Sequence, residues 1–499
     1  MRSDRRTSSP PTTDLERLAR GCLMVSFEGH EAPAWLLDEV AAGVGAVALF
    51  APNIRSDAQT ADLVASLRRA RPDIVVAIDE EGGDVTRLDA ETGSLTPGNA
   101  ALGAVDDIDA TAAAYRMIGR RLSALGIDMD LAPCADVNSD ARNPVIGVRS
   151  FGCEADLVAR HVRAAIDGLQ SVGVAACVKH YPGHGATVDD SHLALPVIDL
   201  DVADLRRREL VPFGAAVDAG AASIMTAHIV VSRVDDVPAT RSQRTIGMLR
   251  DGLDYDGVIV SDALDMAGVH GVGIAAGDVT PEMIGYAAVA SLQAGCDLLC
   301  LGARQGPDVP AAAVAAIVEA VRTGMLSSSG LVTSHRRRLR LRHAPTVAAD
   351  DRAADTDAVD AVALRAITGV APGPLRGALV VDCRPPVSVA NFDVAWGLGS
   401  DVAAIDPTAT AMDATSDTEA SRIVEAARDR PLVVSVRGAA AHRWQQRLVD
   451  RIRVERPDAV VVDLGWPNRR QTATLTTWGA SRSSTRAVAE VLVGPRPTD

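Results

Sequence analysis

The 499-residue sequence has few aromatic side chains: five Phe, five Trp and four Tyr, 3% of the chain. Large rings therefore cannot fill its core. The 47% of residues that are hydrophobic, rich in Ala and Val, must pack it instead, a composition suited to buried parallel strands covered by helices. Basic residues are also in deficit, 50 Lys and Arg against 65 Asp and Glu, for a formal net charge of −15. That balance excludes the clustered cationic surface that a nucleic-acid duplex demands. The basic run from His335 to Arg338, with Arg340 and Arg342, reads as the solvated face of one helix. The seven Cys are odd in number, scattered and mostly inside apolar runs, so reduced, buried thiols are expected rather than a disulfide framework. The N-terminal segment lacks the apolar stretch of a signal peptide, and no later run is apolar for long enough to span a bilayer. A cytoplasmic protein with no membrane partner is expected. Neither a GxGxxG after a first strand nor a GxxxxGK[ST] occurs, which argues against a dinucleotide or P-loop phosphate site.

What is present is a repeated alternation. Residues 1–13 are rich in Arg, Ser, Thr and Pro and are expected to be disordered. Beyond them, short β-prone runs end in polar or Gly-rich stretches and lead into Ala/Leu/Arg segments of helical period. Eight such runs are expected as strands: 21–27, 44–50, 73–79, 126–132, 173–179, 221–228, 256–262 and 296–301. Eight βα units in one stretch predict a (β/α)₈ barrel over 14–345 rather than an open sheet. Residues 346–369 read as an acidic linker and a helix. From 370 to 499 the apolar runs GALVVDCR, DVAAIDP, PLVVSVRG and DAVVVDLG alternate with helical segments, predicting a smaller C-terminal α/β domain. Polar residues cluster where the barrel strands end: Asp79, Asp136, Lys179 with His180, His228 and Asp262. In a barrel those ends open onto one face, so residues remote in sequence converge on one pocket.

The densest segment is Lys179-His180-Tyr181-Pro182-Gly183-His184-Gly185, followed by Asp190-Ser191-His192. Its Pro-Gly and Gly punctuation forces a loop that gathers several polar side chains. Asp190 and His192 are two apart, so in extended chain they point to one side and the carboxylate can orient the imidazole. Zinc is the rival reading of these histidines, but Pro182-Gly183 between His180 and His184 prevents the helix that would present both to one ion, and no metal is expected. In Val260-Ser261-Asp262-Ala263-Leu264-Asp265 an apolar strand delivers Asp262 to the same mouth. An Asp there and an acid on another strand end fit the two-group scheme of glycoside hydrolysis.

These motifs, with Ile78-Asp79-Glu80-Glu81-Gly82-Gly83 and Ile146-Gly147-Val148-Arg149-Ser150-Phe151, resemble glycoside hydrolase family 3. Within it, the likeness is to the bacterial β-N-acetylhexosaminidase branch, which trims N-acetylglucosamine from peptidoglycan fragments. It extends over roughly residues 20–345. It implies a retaining, exo-acting enzyme for GlcNAc-terminated small glycosides, needing no cofactor, with Asp262 as nucleophile and Asp190 with His192 as acid/base dyad. By the same resemblance Asp79, Arg149, Lys179 and His180 bind the terminal sugar, and His228 lines the pocket. Alternative readings are a phosphorylase, in which phosphate replaces water, and a β-glucosidase-like enzyme drawing its acid from Glu419, Glu425 or Glu455. One departure stands out: relatives commonly read Asp-Gln-Glu-Gly-Gly-Arg, whereas here Asp84 occupies the place of the Arg. Arg87 and Arg142 are the candidates to compensate.

Overall fold

All eight runs expected as barrel strands form strands in the computed structural model, which describes residues 12–191, 194–271, 273–342, 352–385, 394–439, 442–467 and 473–494. They are β1 (Leu23–Val25), β2 (Ala46–Leu49), β3 (Val75–Ile78), β4 (Met129–Asp130), β5 (Ala175–Tyr181), β7 (Ser223–Thr226), β9 (Val258–Ser261) and β10 (Leu298–Cys300). They close into a parallel barrel in the order β1-β10-β9-β7-β5-β4-β3-β2. A short parallel pair, β6 (Val197–Ile198) and β8 (Val230–Val231), lies outside it.

Alternation along the strands makes two cores from one composition. Met24, Ala46, Ala48, Val75, Ala77, Ala175, Cys177, Val258, Val260 and Leu298 pack together inside the barrel. Their neighbours Leu23, Val25, Val47, Leu49, Val76, Ile78, Val178 and Ile259 face the helices. Small inward residues let the strands close without the missing aromatics. Helix starts are marked by side-chain caps at Ser56, Asp107 and Thr280, which accept from Gln59 N, Ala110 N and Met283 N.

The C-terminal sheet runs β11 (Thr368–Gly369), β16 (Leu475–Thr476), β15 (Val460–Asp463), β14 (Leu432–Val436), β12 (Leu379–Cys383), β13 (Thr410–Ala414), parallel except for β11. An apolar cluster covers each of its faces. One expectation is corrected here: DVAAIDP is not a strand but the end of a helix, Leu398–Ile405. Its buried residues Leu398, Val402 and Ile405 are spaced four and three apart, the helical period, and the edge strand is Thr410–Ala414 instead.

The basic run is also not simply a solvated face. Arg338 is fully buried, donates to Gly45 O at 3.1 Å and pairs with Asp73 at 3.5 Å, beneath the starts of β2 and β3. Six of the seven Cys are buried free thiols; Cys153 is exposed. Among the described residues no helix is long and apolar enough to cross a membrane.

Candidate active site

The strands deliver charge to one mouth. Asp79 follows β3, Lys179 and His180 end β5, and Asp262 follows β9. With Arg87, Arg149, His184, Ser191 and Asp265 they wall a cavity of about 380 Å³, a size for a small ligand.

The loop after β3 carries two acids that share one cation. Lys179 Nζ lies 2.5 Å from Asp79 Oδ1 and 2.6 Å from Glu81 Oε1. Arg149 grips Glu81 with two nitrogens, Nη2 at 2.7 Å from Oε1 and Nε at 3.0 Å from Oε2, and Arg87 Nη2 lies 2.5 Å from Asp79 Oδ2. Burial alone would raise the Asp79 carboxyl, but the Lys179 ammonium and the guanidinium groups of Arg87 and Arg149 more than offset it and hold the acid below its ordinary range. Glu81 is held low by Arg149 and Lys179 against the same burial penalty. The result is a pocket side lined by fixed, ionised donors and acceptors, suited to the adjacent hydroxyls of a sugar. The turn that follows Glu81 needs Gly83: its φ is +61°, and a Cβ there would stand 2.3 Å from Gly98 Cα.

The neighbouring loop is organised by Asp136, fully buried after β4. His180 Nδ1 donates to its Oδ2 at 2.7 Å, and His184 N to its Oδ1 at 2.6 Å. With the Nδ1 proton spent on Asp136, His180 Nε2 is left to accept from Arg149 Nη2 at 3.3 Å. His184 contacts Thr187 and Ser191 through its two nitrogens, and burial brings it down to about 4, so it is neutral at pH 7. Gly185 lets this loop press onto β4's extension, since a Cβ would stand 1.9 Å from Val137 O.

Asp262 is half-buried, and its Oδ1 accepts from Ala263 N at 2.8 Å. Asp265 Oδ2 accepts from Ala303 N and Gln305 Nε2 at 3.1 and 3.2 Å. Asp79, Arg149, Lys179, His180 and Asp262, each expected at the site, therefore wall one cavity. Asp190 sits half-buried on the loop whose Ser191 reaches that wall; His192, the expected acid, lies outside the described residues.

His228, expected to line the pocket, sits behind Ala263 of the wall. It is fully buried, off the cavity wall formed by the described residues, with Nδ1 at 2.9 Å from Thr240 Oγ1 and Nε2 at 2.9 Å from Ala263 O. It touches the site through the residue after Asp262. Of the two candidates to compensate for Asp84, Arg87 enters the cavity wall, whereas Arg142 pairs with Asp140 at the surface. Sequence reasoning missed Glu81 and the organising role of Asp136; the signals were a second acid two residues after Asp79 and a polar residue just past the fourth strand.

Cys134, Asp136 and His180 bring possible ligand atoms within 4.8 Å of one another. They already bond to each other, Cys134 Sγ to Asp136 at 3.1 Å, and burial pushes the Cys134 thiol well above its ordinary range, away from the thiolate a metal requires.

The chain is 38% identical over 250 residues to Beta-hexosaminidase A of Pseudoalteromonas piscicida, 45% of this chain and 42% of that protein, so it spans less than half of that relative. It is 37% identical over 258 residues to a Beta-hexosaminidase of Methylococcus capsulatus, covering 51% of this chain and 74% of the relative. The solved structure of a glycoside hydrolase family 3 beta-N-acetylglucosaminidase from Paenibacillus sp. str. FPU-7 superposes with a TM-score of 0.84 at 32% identity, over 97% of both chains. The family model for the glycosyl hydrolase family 3 N terminal domain matches residues 23–341, the span that builds the barrel and every cavity residue named above, and the chain therefore belongs to glycosyl hydrolase family 3.

Proposed function

We propose that the protein is a retaining, exo-acting β-N-acetylglucosaminidase that removes terminal GlcNAc from peptidoglycan-derived or related small glycosides. The observation that carries this reading is the placement of Asp262 on the wall of a cavity whose other side is the Asp79, Lys179, Arg149 cluster. Asp79 and Lys179 bind hydroxyls of the terminal sugar, and Arg149 and His180 complete that side. The Asp262 carboxylate attacks the anomeric carbon while an acid protonates the departing oxygen, giving a glycosyl ester on Asp262. The same acid, now a base, takes a proton from water, which attacks the anomeric carbon and breaks its bond to Asp262, releasing the carboxylate; two inversions at that carbon retain the configuration. By the resemblance of the Asp190-Ser191-His192 segment to the family's motif, the acid/base is assigned to Asp190 with His192, whose neighbour Ser191 is on the wall. The relatives named as β-hexosaminidases support the sugar. A cytoplasmic location goes with this reading.

The deciding experiment is turnover of chromogenic β-GlcNAc, β-glucose and β-xylose substrates, with products analysed with and without phosphate. Preferential release from the β-GlcNAc substrate, GlcNAc as product in either buffer, and labelling of Asp262 by a 5-fluoro glycosyl trap are expected. A sugar phosphate as product, or label on another residue, overturns the reading.

A further inference from the structure

Asp84 lies in the middle of the loop whose ends Arg87 and Asp79 pin together. Its carboxylate does not face the cavity or solvent; it points into the C-terminal domain. Oδ1 accepts from Ala480 N at 2.7 Å, and Oδ2 from Arg437 Nε at 3.0 Å and Nη2 at 2.9 Å. The pair is buried, with side-chain exposures of 12% for Arg437 and 3% for Asp84. Arg437 follows β14 and is itself fixed: its backbone N–H donates to Gln445 Oε1 at 3.0 Å, and its guanidinium lies 5.1 Å from the centre of the Trp396 ring. Farther along the same loop, Ala395 N donates to Ala90 O at 2.7 Å and Ser483 N to Ser94 O at 3.4 Å. The loop is also tied inward, since Glu80 accepts from Arg87 N and Leu88 N and Thr96 O accepts from Gly83 N.

We infer that Asp84 and Arg437 are positioning residues, the clamp by which the C-terminal domain holds the loop carrying Asp79 and Glu81 in its sugar-binding geometry. The step from loop to sugar rests on the reading of Asp79 as a ligand of the terminal sugar. Asp84 lies three positions after Glu81 and five after Asp79, a span too short for Asp84 to move by ångströms without shifting both acids. A misplacement of about 1 Å at a substrate-orienting group costs on the order of 100-fold, read here in kcat/KM. A second domain is thus part of the site without any of its described residues lining the cavity.

The test uses the full chain with Arg437→Ala, Arg437→Lys and Arg437→Ala combined with Asp79→Asn. Hydrogen exchange is followed over residues 80–96, and kcat, KM and inhibition by free GlcNAc are measured with a chromogenic β-GlcNAc substrate. Arg437→Ala is expected to speed exchange in 80–96 about tenfold or more, and to raise KM and the GlcNAc inhibition constant about 10- to 100-fold with kcat changed far less. Arg437→Lys should recover most of the loss. In the double variant the two substitutions should cost much less than their sum, because both act through Asp79. Unchanged exchange in 80–96 overturns the clamp, and faster exchange with an unchanged KM reduces it to domain docking and overturns it as well. A wild-type chain inactive on β-GlcNAc substrates refutes the activity reading instead, and the exchange measurement still decides the clamp.

Discussion

Glu81→Gln isolates the charge at the centre of the site while keeping its shape. Glu81 is buried, 1% exposed at the side chain, and meets Arg149 at 2.7 Å and Lys179 at 2.6 Å. Together with Asp79 it supplies two negative charges against the three positive charges of Lys179, Arg149 and Arg87. The substitution leaves one negative charge against three around a side chain that is itself buried. Removing one partner of a buried ion pair costs about 3–5 kcal/mol, and Gln keeps an acceptor, so about 3 kcal/mol is expected. At roughly 2–4 °C per kcal/mol, the melting temperature should fall by about 6–12 °C at pH 7. The sign of the pH dependence follows from the low folded-state pKa of Glu81. Its contribution is complete above the unfolded value of about 4.3 and is lost as pH falls through the folded one. The gap in melting temperature between wild type and Glu81→Gln should therefore be widest near neutrality and shrink below about pH 4.3. Thermal unfolding followed by circular dichroism at several pH values measures it, alongside kcat/KM. A variant that melts within a degree or two of wild type at pH 7, or a gap that grows on acidification, refutes the charge bookkeeping.

Three further outcomes are expected. Asp262→Asn should remove turnover by a factor of about 10³ or more while leaving the melting temperature within a few degrees, because a half-buried strand-end acid contributes little to stability; retained activity would move the nucleophile elsewhere. His184, brought down to about 4 by burial, is neutral in the fold but binds a proton in the unfolded chain below about pH 6.5, so it should subtract stability as pH falls from there towards 4. His184→Gln should flatten that part of the stability profile, and an unaltered slope would show that the imidazole is not held neutral. Asp136→Ala should lower kcat/KM about 10- to 100-fold by freeing the His180 ring, with Asp136→Asn less harmful since it keeps an acceptor; equal effects from both would mean that the charge rather than the hydrogen bond matters.

The barrel was legible because its signal is local. Each strand is a short apolar run with polar punctuation, and the interior Ala and Cys alternate with outward Val, Ile and Leu at the period of two that a strand imposes. Where period and composition disagree, composition misleads. Asp401-Val402-Ala403-Ala404-Ile405 looks apolar enough for a strand, yet its buried residues fall at helical spacing. Asp79, Lys179 and Asp262 were readable for a related reason, as each is the polar residue that ends such a run. Their partners were harder to see, because which of two strand-end histidines meets substrate depends on what packs over it. His180 lines the cavity, whereas His228 is buried with its nitrogens at Thr240 and Ala263.

Asp84 marks the limit of local reading. In the linear order it is an acid replacing an expected base, with Arg87 and Arg142 as the nearby compensations. Arg87 turns instead to Asp79, and Arg142 remains at the surface. The cation that answers Asp84 lies 353 residues away, on the far side of a domain boundary. No periodicity or motif connects positions 84 and 437, because the requirement joining them is electrostatic and arises only once both are buried. Either charge alone in that place would be uncompensated out of water, at a cost of several kcal/mol, so the two residues make sense only as a pair. A domain that looks dispensable in the sequence, since it brings no catalytic motif, then has a reason to be present: the loop that carries Asp79 is folded against it.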